Sequence, residues 1–320
     1  MNGFRRFSQA AAYLASFILS QSVTLPPAWG APPNVVVTIK PVHSLAAAIL
    51  EGVSKPKLLL EGAASPHAYA LKPSDAEALH NADAIVRVSE NLEVFLDKAI
   101  KTLPARSRLI DLDRSPGLTL LPVRESTVIP HDVVDILDGD HDSHDHDHGS
   151  TDAHFWLDPA NAIVIADELT RQLTEIDPEH GSQYQSNNEK LKAKLLALDE
   201  ELKARFAGLS NKPFIVFHDV TQYIEKRYGL NSLGAITVSP ERAPGAKRLA
   251  RMRAKIKETH AICVFSEPQF PPKLVQTLID GTEAKQGVID EVGAALIPGP
   301  DQYFALMRAN AESLVACLRS

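Results

Sequence analysis

Cysteine is scarce in this chain of 320 residues, which has only Cys263 and Cys317. No run of Lys and Arg interrupts a net charge of −7, which argues against a nucleic-acid binder. After the first 20 residues no apolar run approaches the roughly 20 residues that a membrane-spanning helix needs. No His-Glu-x-x-His occurs, so the helix-borne zinc site of a metalloprotease is missing. What remains is 44% hydrophobic and 23% charged, as in an ordinary globular protein, and long enough for about two domains.

The first 30 residues have the form of an export signal. Arg5 and Arg6 give a basic start, and Ala10 to Leu19 form an apolar core too short to cross a bilayer. Small residues at Ala28 and Gly30 place cleavage after Gly30; a cut one residue later would adjoin Pro32. No cysteine lies nearby, which excludes lipid attachment there. The mature chain is expected to be soluble and exported, its charge moving from −7 to −9 with the loss of the two arginines. Two cysteines in an exported chain default to a disulfide, with two separate buried thiols as the alternative. An oxidising compartment works against a cysteine-built metal site.

Histidine is concentrated. Between His131 and Asp152 lie His131, His141, His144, His146 and His148 among eight aspartates, without Lys or Arg. Such a stretch cannot pack as a core, because buried carboxylates and imidazoles are costly unless paired. It reads as a solvated loop suited to extra metal ions, or as a plain acidic loop. His154 follows beside Phe155, Trp156 and Leu157, just ahead of a helix start with Asp158 as cap and Pro159 at the first helical position.

The apolar β-branched run Val35–Ile39 and shorter strands at Lys57–Leu60, Ala84–Val88 and Leu109–Ile110 alternate with helices over 44–50, 73–81 and 92–101. The second half repeats this, with strands over 213–217, 233–238, 261–265 and 286–289 and helices over 220–228, 245–258, 272–280 and 302–318. Between the halves come a helix over 159–176 and a longer one with Leu191, Leu195, Leu198, Leu202 and Phe206 on one stripe. About 25 or more residues would make it about 38 Å long, either a strut joining two domains or a surface helix. The pattern gives an α/β fold, two doubly wound parallel-sheet domains over 31–158 and 209–320, with linking helices over 159–208.

Ligands of open α/β sheets bind beyond the carboxyl ends of the strands. That rule gathers His67, His154, His218 and Asp290 on one cleft. Three imidazoles with a carboxylate or water make a tetrahedral zinc site, the fourth position falling to Asp290, a water or a loop histidine. His43 and Glu267 also follow strands and are expected beside the ligands. His80, His180 and His260 are expected to face solvent.

Gly62-Ala63-Ala64-Ser65-Pro66-His67-Ala68-Tyr69, Lys72-Pro73-Ser74-Asp75, His154-Phe155-Trp156-Leu157-Asp158-Pro159, Val216-Phe217-His218-Asp219 and Phe265-Ser266-Glu267-Pro268-Gln269-Phe270 resemble the signature blocks of the periplasmic zinc-binding proteins of ABC importers, the ZnuA type. The resemblance covers the mature chain, including the His/Asp-rich loop and the cysteine pair. It implies two α/β domains joined by a long rigid helix, with the metal between them, and carries the three histidine ligands over to His67, His154 and His218. Where that family often has Asp-Pro-Leu-Gly, this chain has Asp290-Glu291-Val292-Gly293, so water stands beside Asp290 as fourth ligand.

The expected function is capture of Zn²⁺ in the periplasm by a monomer that delivers it to an inner-membrane ABC permease and its ATPase, without making or breaking a bond. Release would rest on local loop movement and docking, and affinity would fall as pH drops through about 6.5 to 5. The rivals are a manganese or iron importer component, disfavoured because manganese prefers oxygen ligands, and a zinc hydrolase using Glu267 or Asp290 as base. Surface adhesion through the acidic loop has no specific signal.

Overall fold

Val35–Val37, the first strand (β1), is buried on both faces, as a strand inside a parallel sheet must be. The computed structural model describes residues 31–124, 151–237, 246–271 and 273–320. The signal segment, most of the His/Asp-rich loop and the start expected at 245 for one helix lie outside them.

β1 pairs in parallel with β2 (Lys57–Leu58) on one side and β3 (Ala84–Arg87) on the other, and β3 pairs with β4 (Arg108–Asp111), giving the order β2-β1-β3-β4. Helices α1 (Lys40–Ile49), α2 (Pro73–His80) and α3 (Asp97–Ile100) connect these strands. The second lobe repeats the order as β6-β5-β7-β8, all parallel, from β5 (Pro213–His218), β6 (Asn231–Thr237), β7 (Cys263–Ser266) and β8 (Lys285–Val288). Its helices are α6 (Gln222–Tyr228), α7 (Ala246–Thr259), α8 (Lys273–Ile279) and α9 (Gln302–Leu318).

Two elements differ from the sequence reading by more than a residue or two at an end. Helix α1 begins at Lys40 rather than near Ser44, because Pro41 stands in its first turn, where a missing N–H costs nothing. The helix expected over 92–101 is a 3₁₀ turn, Val94–Leu96, followed by the single turn of α3.

Between the lobes run α4 (Pro159–Ile176) and α5 (Gly181–Phe206). The Asp158 carboxylate accepts the Ala160 N–H at 2.8 Å and so caps α4. The 26 residues of α5 span about 39 Å. Its predicted stripe, Leu191, Leu195, Leu198, Leu202 and Phe206, is buried throughout. One continuous apolar cluster therefore runs from Val36 and Leu45 in the first lobe, through Leu195 of α5, to Tyr303 and Leu314 of α9. A smaller cluster, including Ile215, Ile236, Met252, Ile256 and Val264, sits apart in the second lobe. A long helix bonded into both lobes by shared core is a strut, and it limits how far they can swing apart.

Cys263 at the start of β7 and Cys317 near the end of α9 form a disulfide that closes a separation of 54 residues. Constraining a loop of that length should contribute about 4 kcal/mol on the chain-entropy model. Replacing both cysteines by alanine is expected to lower the melting temperature by about 10 °C. A calorimetric scan unchanged within a degree or two would show that the bridge does not constrain the unfolded chain.

Candidate metal centre

Each lobe contributes to one cluster at the carboxyl edges of the two sheets. His67 lies in the loop after β2. Tyr69 donates its hydroxyl hydrogen to Asp75 at 2.8 Å, and Asp75 also accepts the Lys72 N–H at 2.9 Å, tying this loop to the start of α2. His154 ends the segment that leads into α4. His218 is the last residue of β5, and Glu291 follows β8. The three ring centroids lie 5.0 to 5.6 Å apart. One ligand atom from each of His67, His154, His218 and Glu291 falls within 4.8 Å of the others. His154, His218 and Glu291 are buried and His67 is half-buried, which puts the mouth of the site on the His67 side.

Carboxylates behind two rings fix their orientation. Asp152 accepts from both the backbone N–H (2.9 Å) and Nδ1 (2.7 Å) of His154, which leaves Nε2 for the centre. Glu267 accepts the His218 backbone N–H at 3.1 Å, with its other oxygen 3.6 Å from Nδ1 of that ring. Burial pulls His154 down, but Asp152 and Glu291 outweigh it and raise it well above its ordinary value. Burial likewise lowers His218, and Glu267 more than compensates, so it too is raised. Burial pushes Glu291 up, yet the facing imidazoles win and hold it at about 2. Burial raises Glu267.

Glu291 carries the chemistry of the cluster. It is fully buried, and among the described residues neither of its oxygens accepts a well-aligned hydrogen bond. His154 Nε2 lies 3.1 Å from its Oε2. A buried carboxylate needs a cation, either protons on the imidazoles or a metal ion among them. Three nitrogen donors and one oxygen fit a tetrahedral zinc ion.

The expected residues fall in different places. His67, His154 and His218 come together. Asp290 does not: its carboxylate accepts the backbone N–H groups of Val292, Gly293 and Ala294 at 3.1, 2.8 and 2.6 Å, and the Gln269 amide at 3.1 Å. It caps a turn, and Glu291 takes the place expected for it. Glu267 stands behind His218 as expected. His43 does not reach the cluster, because the early start of α1 puts it inside the helix, where its ring bonds the Pro56 carbonyl at 3.0 Å. His80 and His260 are exposed, whereas His180 packs against Asp177 at 2.7 Å. His131, His141, His144, His146 and His148 lie outside the described residues.

The described residues that flank 125–150 lie against the site. Arg124, just before it, pairs with Asp219, the neighbour of His218, and with Glu225. At its other end the Asp152 N–H donates to the Leu121 carbonyl at 2.8 Å, and the Tyr223 hydroxyl bridges the same two residues.

The family model described as "Zinc-uptake complex component A periplasmic" (ZnuA) matches residues 35–317. The chain belongs to the ZnuA family. It is 45% identical over 341 aligned residues to the high-affinity zinc uptake system protein ZnuA of Brucella abortus (strain 2308), covering 97% of each chain. The ZnuA of Yersinia pestis is 33% identical, over 89% of this chain and 91% of that one. Among solved structures, a ZnuA deletion mutant with zinc bound is 25% identical with a TM-score of 0.72, over 90% of this chain and 98% of that one. The laminin-binding protein Lmb of Streptococcus agalactiae, at 24% identity and a TM-score of 0.72, shares the fold, over 90% of this chain and 99% of that one. The ZnuA family supplies the periplasmic component of a zinc-uptake complex, and among the described residues no helix is long and apolar enough to cross a membrane.

Proposed function

We propose that the chain captures Zn²⁺ between its lobes with His67, His154, His218 and Glu291 and surrenders it to an ABC permease with its ATPase in the inner membrane. The buried Glu291 carboxylate facing three imidazoles, with no hydrogen-bond donor aligned on it among the described residues, carries this reading. The chain is a carrier rather than an enzyme, acts as a monomer, and reaches the periplasm once residues 1–30 are removed. We assign residues 31–158 to the first domain, 159–208 to the linking helices and 209–320 to the second domain. Asp152 and Glu267 orient the His154 and His218 rings. His131, His141, His144, His146 and His148 form an accessory collector of weaker ions, joined to the chain beside the two best-buried imidazoles.

A zinc titration against a competing chelator tests this on the mature chain, on Glu291→Gln and on a version lacking residues 132–149. Glu291→Gln is expected to weaken the tight site about tenfold or more, and the deletion to remove only weak ions. If Glu291→Gln binds as tightly as the parent, the fourth ligand is not Glu291. If the deletion abolishes the tight site, the loop supplies an essential ligand.

A further inference from the structure

The turn that carries Glu291 belongs to the second lobe but is held by the first. The Trp156 indole, two residues from His154, donates to the Glu291 carbonyl at 2.9 Å. Lys40, at the start of α1, is 3% exposed. Its Nζ lies 2.9, 2.7 and 3.3 Å from the carbonyl oxygens of Gly293, Ala294 and Leu296. An ammonium has three N–H donors, and here each has one carbonyl.

Burying a lysine is costly, and burial pulls its pKa down against the attraction of Asp290 and Glu61. The turn does not need Lys40 for its shape. Asp290 already binds its three successive N–H groups from within the same lobe. Gly293 completes it with φ of 75°, a conformation that favours glycine. Asp290 thus shapes the turn through its amides, while Lys40 holds the same turn through its carbonyls from across the lobe boundary. Charge-assisted bonds to several carbonyls fix a position more firmly than a single neutral bond.

We propose that Lys40 is a positioning residue of the metal site: it bolts the Glu291 turn to the first lobe and sets the reach of the Glu291 carboxylate to His67 and His154. This rests on the reading of Glu291 as a ligand. The bolt acts at the seam of the lobes, so the oxygen donor and the imidazoles keep their spacing only while the seam is closed.

The test is a double-mutant cycle on the mature protein, with zinc affinity from chelator competition and the visible absorption of the cobalt(II) form as readouts. Lys40→Met keeps the stem and removes the ammonium. It is expected to weaken zinc binding about tenfold, as loss of an outer partner of a metal ligand does. In the Glu291→Gln background the same change should cost less than about twofold, and the cobalt spectra of Lys40→Met, Glu291→Gln and the double variant should shift alike. Equal losses in both backgrounds would mean that Lys40 acts on the fold or the imidazoles, which overturns the proposal; so would no loss at all. Glu291→Gln alone without effect would sink the ligand reading instead. If Lys40→Met does not fold, Lys40→Gln, which keeps two N–H donors, takes its place in the cycle. Failure of both to fold would show a purely structural lysine and overturn the proposal as well.

Discussion

Replacing His154 by alanine should lower zinc affinity about a hundred- to a thousandfold. Four-ligand zinc sites are worth about 10–16 kcal/mol in all, or about 3–4 kcal/mol for each ligand, and each 1.4 kcal/mol is about tenfold. His154 sits between two buried carboxylates, 2.7 Å from Asp152 and 3.1 Å from Glu291, so its loss also strands both charges. Asp152→Asn keeps the shape and removes the charge behind the ring; its expected cost is smaller, about tenfold to a hundredfold. Chelator competition measures both. A His154→Ala protein within about tenfold of the parent would place the ion elsewhere.

Acid should weaken the site steeply, and from a higher pH than an ordinary histidine would suggest. His154 and His218 are both raised above the usual 6.5, so in the metal-free protein both carry protons that zinc must displace as pH falls toward that value. Glu291, held at about 2, does not compete. With two protons released for each ion, affinity should fall about a hundredfold per pH unit once both rings are protonated. The window expected from unperturbed imidazoles, about 6.5 to 5, therefore moves upward. The metal-free protein follows the opposite course. A histidine whose pKa is raised by folding stabilises the fold below its unfolded pKa, and that stability is lost as pH rises through the folded pKa. From these two groups, the metal-free form should melt higher at about pH 6 than at about pH 8, and the gap between zinc-loaded and metal-free melting temperatures should widen with pH. A flat affinity between those two pH values would rule out displacement of buried imidazolium protons.

The sheets, the strut and the three imidazoles were legible because each rests on a local signal. Buried parallel strands read as β-branched runs, α5 as a leucine stripe at helical spacing, and His67 and His218 as histidines just past strands. The fourth member of the cluster was harder to read. Asp290 and Glu291 both follow β8, and the strand-end rule does not choose between neighbours. The choice is made by the turn: an Asp whose carboxylate can reach the next amides, with Gly293 three residues on, is a backbone cap, and its oxygens are spent on Val292, Gly293 and Ala294. Read that way, Asp290-x-x-Gly293 points to Glu291 as the free carboxylate. His43 was misplaced for a similar reason, since the proline that opens α1 moved the helix start past it. Lys40 gave no sequence signal at all, because its partners are carbonyls more than 250 positions away.

The division of the apolar interior into one long cluster and one small one decides how the molecule comes apart. Strands and helices that share side chains from Val36 to Leu314 must lose their order together, so the first sheet, α5 and α9 form a single cooperative unit in hydrogen exchange. The patch built on Ile236, Met252, Ile256 and Val275 has its own small interior and can open while the rest stays closed. Proteases acting on the native protein are then expected to enter along α7 and α8, whose side chains help to build that patch, and to leave the long cluster intact.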